Sequence, residues 1–166
     1  MAGRTGAVVV LAPATGEILA LVSNPFVDPN RLDDLWPQRQ QDPAAPLLNR
    51  ATAGLYPPGS VFKTVTLAAA LETGRVAPTD RWEDPDGRLL VDGYLVRDDN
   101  HPGIASFDTL HAYAYSCNVT FARLGTRLGR ERLEDYAKRF GFGDQPPIEI
   151  ASAPSKLSSD PAFLRD

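Results

Sequence analysis

A serine at the start of an apolar helix, with a lysine three residues later, is the feature that most constrains this chain. The segment is Tyr56-Pro57-Pro58-Gly59-Ser60-Val61-Phe62-Lys63. The Pro-Pro-Gly sequence is expected to end any preceding helix or strand. Ser60 is therefore predicted to be the N-cap of a new helix or to lie in its first turn. Residues 61–71 are rich in Ala and Leu and lack Pro and Gly, which predicts a buried helix from Ser60 to Glu72, ended by Gly74.

Ser60 and Lys63 are predicted to act together, because positions i and i+3 share one face of a helix. Burial in an apolar setting lowers the pKa of a lysine, and a neutral amine can take the proton of a serine hydroxyl. The bare Ser-x-x-Lys pattern is common, and a capping serine followed by an unrelated lysine also produces it. The Pro-Pro-Gly and the apolar helix around it favour an activated serine nucleophile.

A second polar triplet, Ser116-Cys117-Asn118, follows further along the chain. Alone, it would indicate only a polar junction between helices. Downstream of Ser-x-x-Lys, it completes two of the three elements of a serine acyl-transferase signature. Cys117 is predicted to be a small buried residue, because a thiol nucleophile would need a histidine partner that the sequence does not indicate.

The remaining elements indicate an α+β fold. Residues 8–11 and 17–23 are predicted to form a hairpin, and residues 24–46, with five prolines, a long surface loop anchored by Trp36. Turns and short strands are expected over residues 79–106. The predicted later elements are helices at 107–115, 119–128 and 130–140, and an extended tail from Asp144.

With these two motifs in this order, the chain resembles the transpeptidase domain of penicillin-binding proteins. The likeness is nearest to the small class B members of penicillin-binding protein A type, and it covers nearly the whole chain. Further similar segments are residues 6–23, 28–30, 48–51, 130–133, 140–143, 153–155 and 160–164.

The resemblance implies a β-lactamase/transpeptidase-like α+β fold, with helices packed on an antiparallel sheet, and a single domain over residues 1–166. It implies that Ser60 attacks the D-Ala-D-Ala carbonyl of a peptidoglycan stem peptide, with Lys63 as its base. Ser116 would relay the proton to the leaving group, and Asn118 would hold the substrate amide. The reaction would use no metal and no cofactor.

The resemblance also implies partners and a location. β-Lactam antibiotics would acylate Ser60, because they mimic the D-Ala-D-Ala dipeptide. The parent protein would be anchored in the bacterial cell membrane and act on its extracytoplasmic face, in cell-wall synthesis or cell division. The chain itself would be a soluble piece of that protein.

The third element of the signature is absent, since the sequence contains no Lys-Thr-Gly, Lys-Ser-Gly or His-Thr-Gly. In the family this motif lies on a strand beside the nucleophile. We therefore expect the chain to be the N-terminal part of the domain, incomplete at its C-terminus and of low activity as a fragment. The predicted hairpin would then have an open edge, through which copies could self-associate.

Two other functions remain open. A D,D-carboxypeptidase or a serine β-lactamase would carry similar motifs, although Asn118 disfavours the class D β-lactamases, which usually have a hydrophobic residue there. A non-catalytic β-lactam-binding or sensor module would keep the fold, and the missing third motif is the observation that favours it.

Composition excludes several classes of function. The net charge of −4 argues against a nucleic-acid partner. The single cysteine allows no disulfide within the chain. The two histidines, His101 and His111, lack the spacing of a metal site and are predicted to be structural or exposed. Four arginines between residues 123 and 132 are interleaved with acidic residues, which indicates a solvated helix face.

Overall fold

The computed structural model describes residues 3–84, 86–99 and 101–157, and these form two compact units. The first unit holds the described residues up to Tyr56, together with residues 144–155. The second unit holds residues 57–143 and the described residues from Lys156 onward. The single domain over 1–166 stays a prediction.

The first unit is built on the predicted hairpin, which is confirmed. Strands β1 (Gly6–Leu11) and β2 (Ile18–Asn24) pair antiparallel, with a bulge near the turn between Val10 and Leu11. The turn closes where the Ala12 amide donates to the Glu17 carbonyl over 2.8 Å. Valines on both faces of β1 stay about half exposed.

The expected surface loop over residues 24–46 is wrong in part. After a 3₁₀ turn (Pro29–Arg31), residues Leu32–Gln40 form helix α1, which accommodates Pro37 in its interior. A proline inside a helix removes one backbone hydrogen bond, which is why the sequence favoured a loop. The predicted anchoring of this segment by Trp36 is also wrong, because that side chain is 44% exposed.

A short helix completes the helical elements of the first unit. Helix α2 (Arg50–Ala53) follows the loop after α1, and Asn49 caps it by accepting from the Ala51 amide. Arg50 is buried, and its guanidinium donates to the carbonyls of Ala44, Ala45 and Leu48. These bonds pin the preceding loop to the helix.

The second unit begins with the serine-lysine segment. A 3₁₀ turn (Gly59–Phe62) leads into helix α3 (Lys63–Glu72), so the α-helix starts three residues later than predicted. The later elements are β3 (Arg81–Glu83), β4 (Arg88–Val91), β5 (Tyr94–Arg97), β6 (Ser106–Asp108), α4 (Thr109–Ala114), α5 (Asn118–Leu128) and α6 (Arg130–Arg139).

Two small antiparallel sheets flank these helices in the described part of this unit: β3 pairs with β6, and β4 pairs with β5. The predicted helix over 107–115 is therefore wrong at its start, where Phe107 pairs with Trp82 in a strand. Asp108 then caps α4 by accepting from the His111 amide over 2.8 Å. The α+β class is confirmed.

The core of the second unit lies where α3 packs against α5 and α6. Ala69 and Ala70 on α3, Leu124 and Leu128 on α5, and Ala137 on α6 have no exposed surface. Trp82 joins this cluster and donates from Nε1 to the Thr109 hydroxyl over 2.9 Å. None of the described helices is long and apolar enough to cross a membrane.

The arginines between residues 123 and 132 only partly follow the prediction of a solvated face. Arg130 does so, pairing with Glu134 on the surface of α6 over 2.7 Å. Arg127 instead stacks its guanidinium 4.4 Å from the centre of the Trp82 ring, and Arg123 donates to the Glu83 carbonyl. These two side chains tie α5 to β3.

Helices α3 and α4 end in the same backbone motif but with different residues. Gly74 follows α3 with φ +65°, and Ser116 follows α4 with φ +56°. The backbone amide of Gly74, like that of Ser116, donates to the carbonyl of the residue three positions earlier. The amide of the following residue donates in each case to the carbonyl of the residue five positions before it. This arrangement requires a left-handed residue and usually carries glycine, so the serine is held at a strained position.

This comparison predicts opposite effects of two substitutions on stability. Gly74→Ala should lower the free energy of unfolding by about 1 kcal/mol, because a side chain disfavours positive φ. Apart from its chain neighbours, no atom of the described residues lies within 4 Å of the added Cβ, so steric overlap does not contribute. Ser116→Gly should raise the free energy of unfolding by up to about 1 kcal/mol. Urea denaturation measures both, and destabilisation by Ser116→Gly would contradict the assignment of strain.

Candidate active site

The amine of Lys63 joins the two sequence motifs. Its Nζ donates to the Ser116 hydroxyl over 2.9 Å, to Asn118 Oδ1 over 2.6 Å and to the Ser116 carbonyl. Lys63 is the first residue of α3, and Asn118 is the first residue of α5. The contact between these helices therefore brings three of the four predicted site residues into one hydrogen-bonded group.

Ser60 is the fourth predicted residue, and it lies outside this group. It is exposed in the 3₁₀ turn before α3, and its carbonyl accepts from the Lys63 backbone amide. Its hydroxyl makes no hydrogen bond to any of the described residues. An exposed, uncommitted hydroxyl is available to an incoming substrate.

The orientation of the Asn118 amide follows from its two partners. Its Nδ2 donates to the Arg97 carbonyl over 2.7 Å, and a carbonyl can only accept. The amide oxygen must therefore face Lys63. The next residue is fixed from the same strand end, because the Val119 amide donates to Asp98 Oδ1 over 2.9 Å.

Opposing influences act on the charge of Lys63. Burial lowers the pKa of its amine, while the nearby groups Asp98, Cys117 and Asp99 raise it. Burial prevails, so the pKa lies below the usual lysine value. A larger share of neutral amine is thus present near neutral pH than for an exposed lysine.

Only one of the three hydrogen-bond acceptors around the Lys63 amine can also act as a hydrogen-bond donor to it. When the amine loses a proton it gains a lone pair, which needs a donor. The Ser116 carbonyl has no hydrogen to give, and the oriented Asn118 presents only oxygen. The Ser116 hydroxyl can rotate and donate, so it is equipped to exchange a proton with Lys63.

Cys117 is 1% exposed, which confirms the predicted small buried residue. Burial, together with Asp98 and Asp84, raises the pKa of its thiol to about 11. A thiol with that pKa is protonated at neutral pH and is a poor nucleophile. The geometry therefore gives no support to cysteine chemistry in this site.

A cluster that the sequence analysis missed lies behind this group. Oxygens of Asp84 and Asp98 and a ring nitrogen of His101 lie within 4.8 Å of one another. Both nitrogens of His101 are already engaged: Nδ1 accepts from the Gly103 amide over 3.1 Å, and Nε2 lies 2.6 Å from the Asp84 carbonyl. Because the Gly103 amide donates to Nδ1, Nε2 is the nitrogen that donates to the Asp84 carbonyl. A metal ion here would have to displace one of these bonds.

The other histidine has a separate surface role. His111 is exposed, and its Nδ1 lies 2.7 Å from Asp108, which also caps α4. The expectation that this residue is structural or exposed is confirmed.

Comparison with known proteins identifies the family. The sequence profile described as "Penicillin binding protein transpeptidase domain" matches residues 6–160. The chain is 39% identical over 175 residues to the protein of Mycolicibacterium smegmatis named peptidoglycan D,D-transpeptidase PbpA. It is 33% identical over 157 residues to the protein of Escherichia coli named peptidoglycan D,D-transpeptidase MrdA.

These matches cover nearly all of this chain but only part of each relative. The alignment with the M. smegmatis protein spans 96% of the chain and 35% of that protein. For the E. coli protein the shares are 91% and 25%.

Solved structures agree with the sequence comparisons. The crystal structure of PBPA from Mycobacterium tuberculosis superposes with a TM-score of 0.82 at 34% identity, covering 96% of this chain and 40% of that one. A penicillin G acyl-enzyme complex of penicillin-binding protein A from the same organism gives 0.79 at 35% identity, with the same coverage. The chain belongs to the penicillin-binding protein transpeptidase domain family.

Proposed function

We propose that this chain is the part of a peptidoglycan D,D-transpeptidase that carries the serine nucleophile. The observation that supports this function best is the hydrogen-bonded group of Lys63, Ser116 and Asn118, with an uncommitted Ser60 hydroxyl three residues before Lys63. Ser60 is the nucleophile, Lys63 its base, Ser116 the proton relay and Asn118 the group that holds the substrate amide.

The reaction proceeds in two acyl transfers. The Ser60 oxygen attacks the carbonyl carbon of the D-Ala-D-Ala amide, and neutral Lys63 takes the hydroxyl proton. The amide C–N bond breaks as Ser116 gives a proton to the departing nitrogen and takes the proton held by Lys63, and terminal D-Ala leaves. The amine of a second stem peptide then attacks the Ser60 ester, and the proton it loses passes through Ser116 and Lys63 to the Ser60 oxygen. The new amide bond is the cross-link, and Ser60 is freed.

The partners and location follow from the same proposal. The substrate is the peptidoglycan stem peptide, and β-lactams acylate Ser60 as mimics of it. The parent protein is membrane-anchored and acts on the extracytoplasmic face of the cell membrane. Supporting this, the relatives are named peptidoglycan D,D-transpeptidases, and a structural relative is a penicillin G acyl-enzyme complex.

Penicillin should form a covalent adduct on Ser60. Intact-protein mass spectrometry of the protein expressed from its complete gene is expected to show the mass of one penicillin, added without loss of atoms because the β-lactam ring opens. Ser60→Ala should abolish the adduct, whereas Ser152→Ala, a serine outside the second unit, should retain it. An adduct that persists in Ser60→Ala would contradict the assigned nucleophile, and no adduct in the unaltered protein would favour a non-catalytic module.

Turnover separates the transpeptidase from its hydrolytic relatives. With a chromogenic cephalosporin, a transpeptidase should release one equivalent of chromophore and then stall, because water reaches its acyl-enzyme poorly. Sustained rapid turnover would instead indicate a β-lactamase. Release of D-Ala from a stem peptide without formation of a cross-linked product would indicate a D,D-carboxypeptidase.

The rate of acylation should depend on the charge of Lys63. Because the neutral amine is the base, the second-order rate of penicillin acylation is expected to rise with pH. The midpoint should fall below the usual lysine pKa of about 10.4, since burial lowers the pKa of Lys63. Stopped-flow measurements with a fluorescent penicillin give this profile. Lys63→Arg keeps the positive charge but removes the base, and a rising profile in that variant would contradict the assigned role.

A further inference from the structure

A hydrogen bond between two side chains joins the first turn of α3 to the end of α4. The hydroxyls of Thr64 and Tyr113 lie 2.9 Å apart, and either can be the donor. Among the described residues it is the only hydrogen bond between these two helices. Thr64 directly follows Lys63, and Tyr113 precedes Ser116 by three residues. The bond therefore links the two chain segments that carry the Lys63 amine and the Ser116 hydroxyl.

The start of α3 lacks the usual anchor of a helix. No side chain caps it at Phe62. A helix without an N-terminal cap is less stable in its first turn, where helices tend to fray. Lys63 is the first residue of this helix, so fraying would carry its amine away from its partners. The hydrogen bond from Thr64 to Tyr113 restrains this turn from a neighbouring helix.

Tyr113 also approaches the Lys63 amine through a second aromatic side chain. The centres of the Tyr113 and Phe121 rings lie 6.1 Å apart, within the range of aromatic pairs. The Lys63 Nζ lies 5.7 Å from the centre of the Phe121 ring, where a ring face attracts a cation. Phe121 is 6% exposed, whereas Tyr113 is 41% exposed. The phenol ring thus packs on the aromatic side chain that borders the amine.

The main chain of Tyr113 holds the other group that exchanges the proton. The Ser116 amide donates to the Tyr113 carbonyl over 3.0 Å, at the left-handed end of α4. Tyr113 therefore bonds to Ser116 through its backbone and to Thr64 through its side chain. A single residue ties together the two sides of the contact between Lys63 and Ser116.

We propose that Tyr113 is a positioning residue which, through Thr64, holds the Lys63 amine within reach of the Ser116 hydroxyl. Proton transfer requires the two atoms to be at hydrogen-bond distance, and a displacement of about 1 Å can cost up to about 100-fold in rate. Tyr113 acts through these groups, and no contact with substrate is assigned to it. Its effect on rate rests on the function proposed above.

The exposure of Thr64 and Tyr113 separates positioning from simple support of the fold. Water can replace either hydroxyl when the other is removed, so the loss of stability should be small. A variant without the bond should therefore be fully folded but slower. The amount of protein that reacts and the rate at which it reacts are the two quantities to compare.

The rate of penicillin acylation measures the positioning role in the protein expressed from its complete gene. Stopped-flow measurements over a range of concentrations of a fluorescent penicillin give the maximal rate and the dissociation constant of the noncovalent complex. Tyr113→Phe should lower the maximal rate about fivefold, with the dissociation constant and the amount of adduct unchanged. Thr64→Val should have the same effect. Thr64→Ser keeps a hydroxyl and should stay within about twofold of the unaltered protein.

The double variant shows whether the two residues act through one bond. Tyr113→Phe combined with Thr64→Val should lose no more rate than either change alone, because each removes the same interaction. Additive losses would overturn the proposal, as would unchanged rates, less adduct at an unchanged rate, or a Thr64→Ser variant as slow as Thr64→Val. Tyr94→Phe removes the hydroxyl of an exposed tyrosine on β5 and is the matched control, which should leave the rate unchanged.

Crystal structures test the positioning without relying on the reaction. In the unaltered protein, Lys63 Nζ should lie at hydrogen-bond distance from Ser116 Oγ in one conformation. In Tyr113→Phe it should lie farther away or occupy more than one conformation. The same single conformation in both structures would overturn the proposal, whether or not penicillin reacts with Ser60. Displacement of Lys63 in a protein that penicillin does not acylate would support the positioning role while contradicting the function proposed above.

Discussion

The packing of α3 against α5 is the constraint on which the site depends. Ala69 and Ala70 on α3 allow close approach, and Leu124 of α5 lies in the same buried cluster, where full burial of a leucine contributes roughly 2–3 kcal/mol. Lys63 begins one helix and Asn118 begins the other, so the packing brings two helix N-termini to one point. Such termini carry partial positive charge, which disfavours the ammonium form of Lys63 and, in the reaction proposed above, would favour the negative charge on the attacked carbonyl.

The pKa of Lys63 reflects a balance of opposing interactions with the residues around it. Three oxygen acceptors favour the charged amine, and so does Asp98, while burial opposes them and prevails. Loss of the Asp98 charge would lower the pKa of Lys63 further, and loss of burial would raise that pKa towards the usual lysine value. The packing that forms the site therefore also sets how readily Lys63 loses its proton.

The sequence predicted those parts of the structure that local chemistry determines. The hairpin follows from alternating β-formers around a turn, and α3 with its glycine end follows from an uninterrupted apolar run. The cluster of Asp84, Asp98 and His101 could not be predicted, since Asp98 lies in a polar run typical of a solvated loop and meets Asp84 only through tertiary contacts. Helix α1 was missed because the packing of a folded chain can tolerate a proline such as Pro37 that local propensity disfavours.

The strain at Ser116 and the buried carboxyl oxygens of Asp84 and Asp98 that lack a hydrogen-bond partner among the described residues have a common explanation. Both features cost stability, and both bear on the segment 116–119, which carries the side chains that meet Lys63. Glycine at position 116 would satisfy the backbone but would leave the Lys63 lone pair without its hydroxyl partner. Apolar residues at 84 and 98 would remove the orphaned oxygens but would free the first turn of α5. Local rules of folding are thus broken in the segment that meets Lys63, as expected of a functional site whose geometry is maintained at the expense of stability.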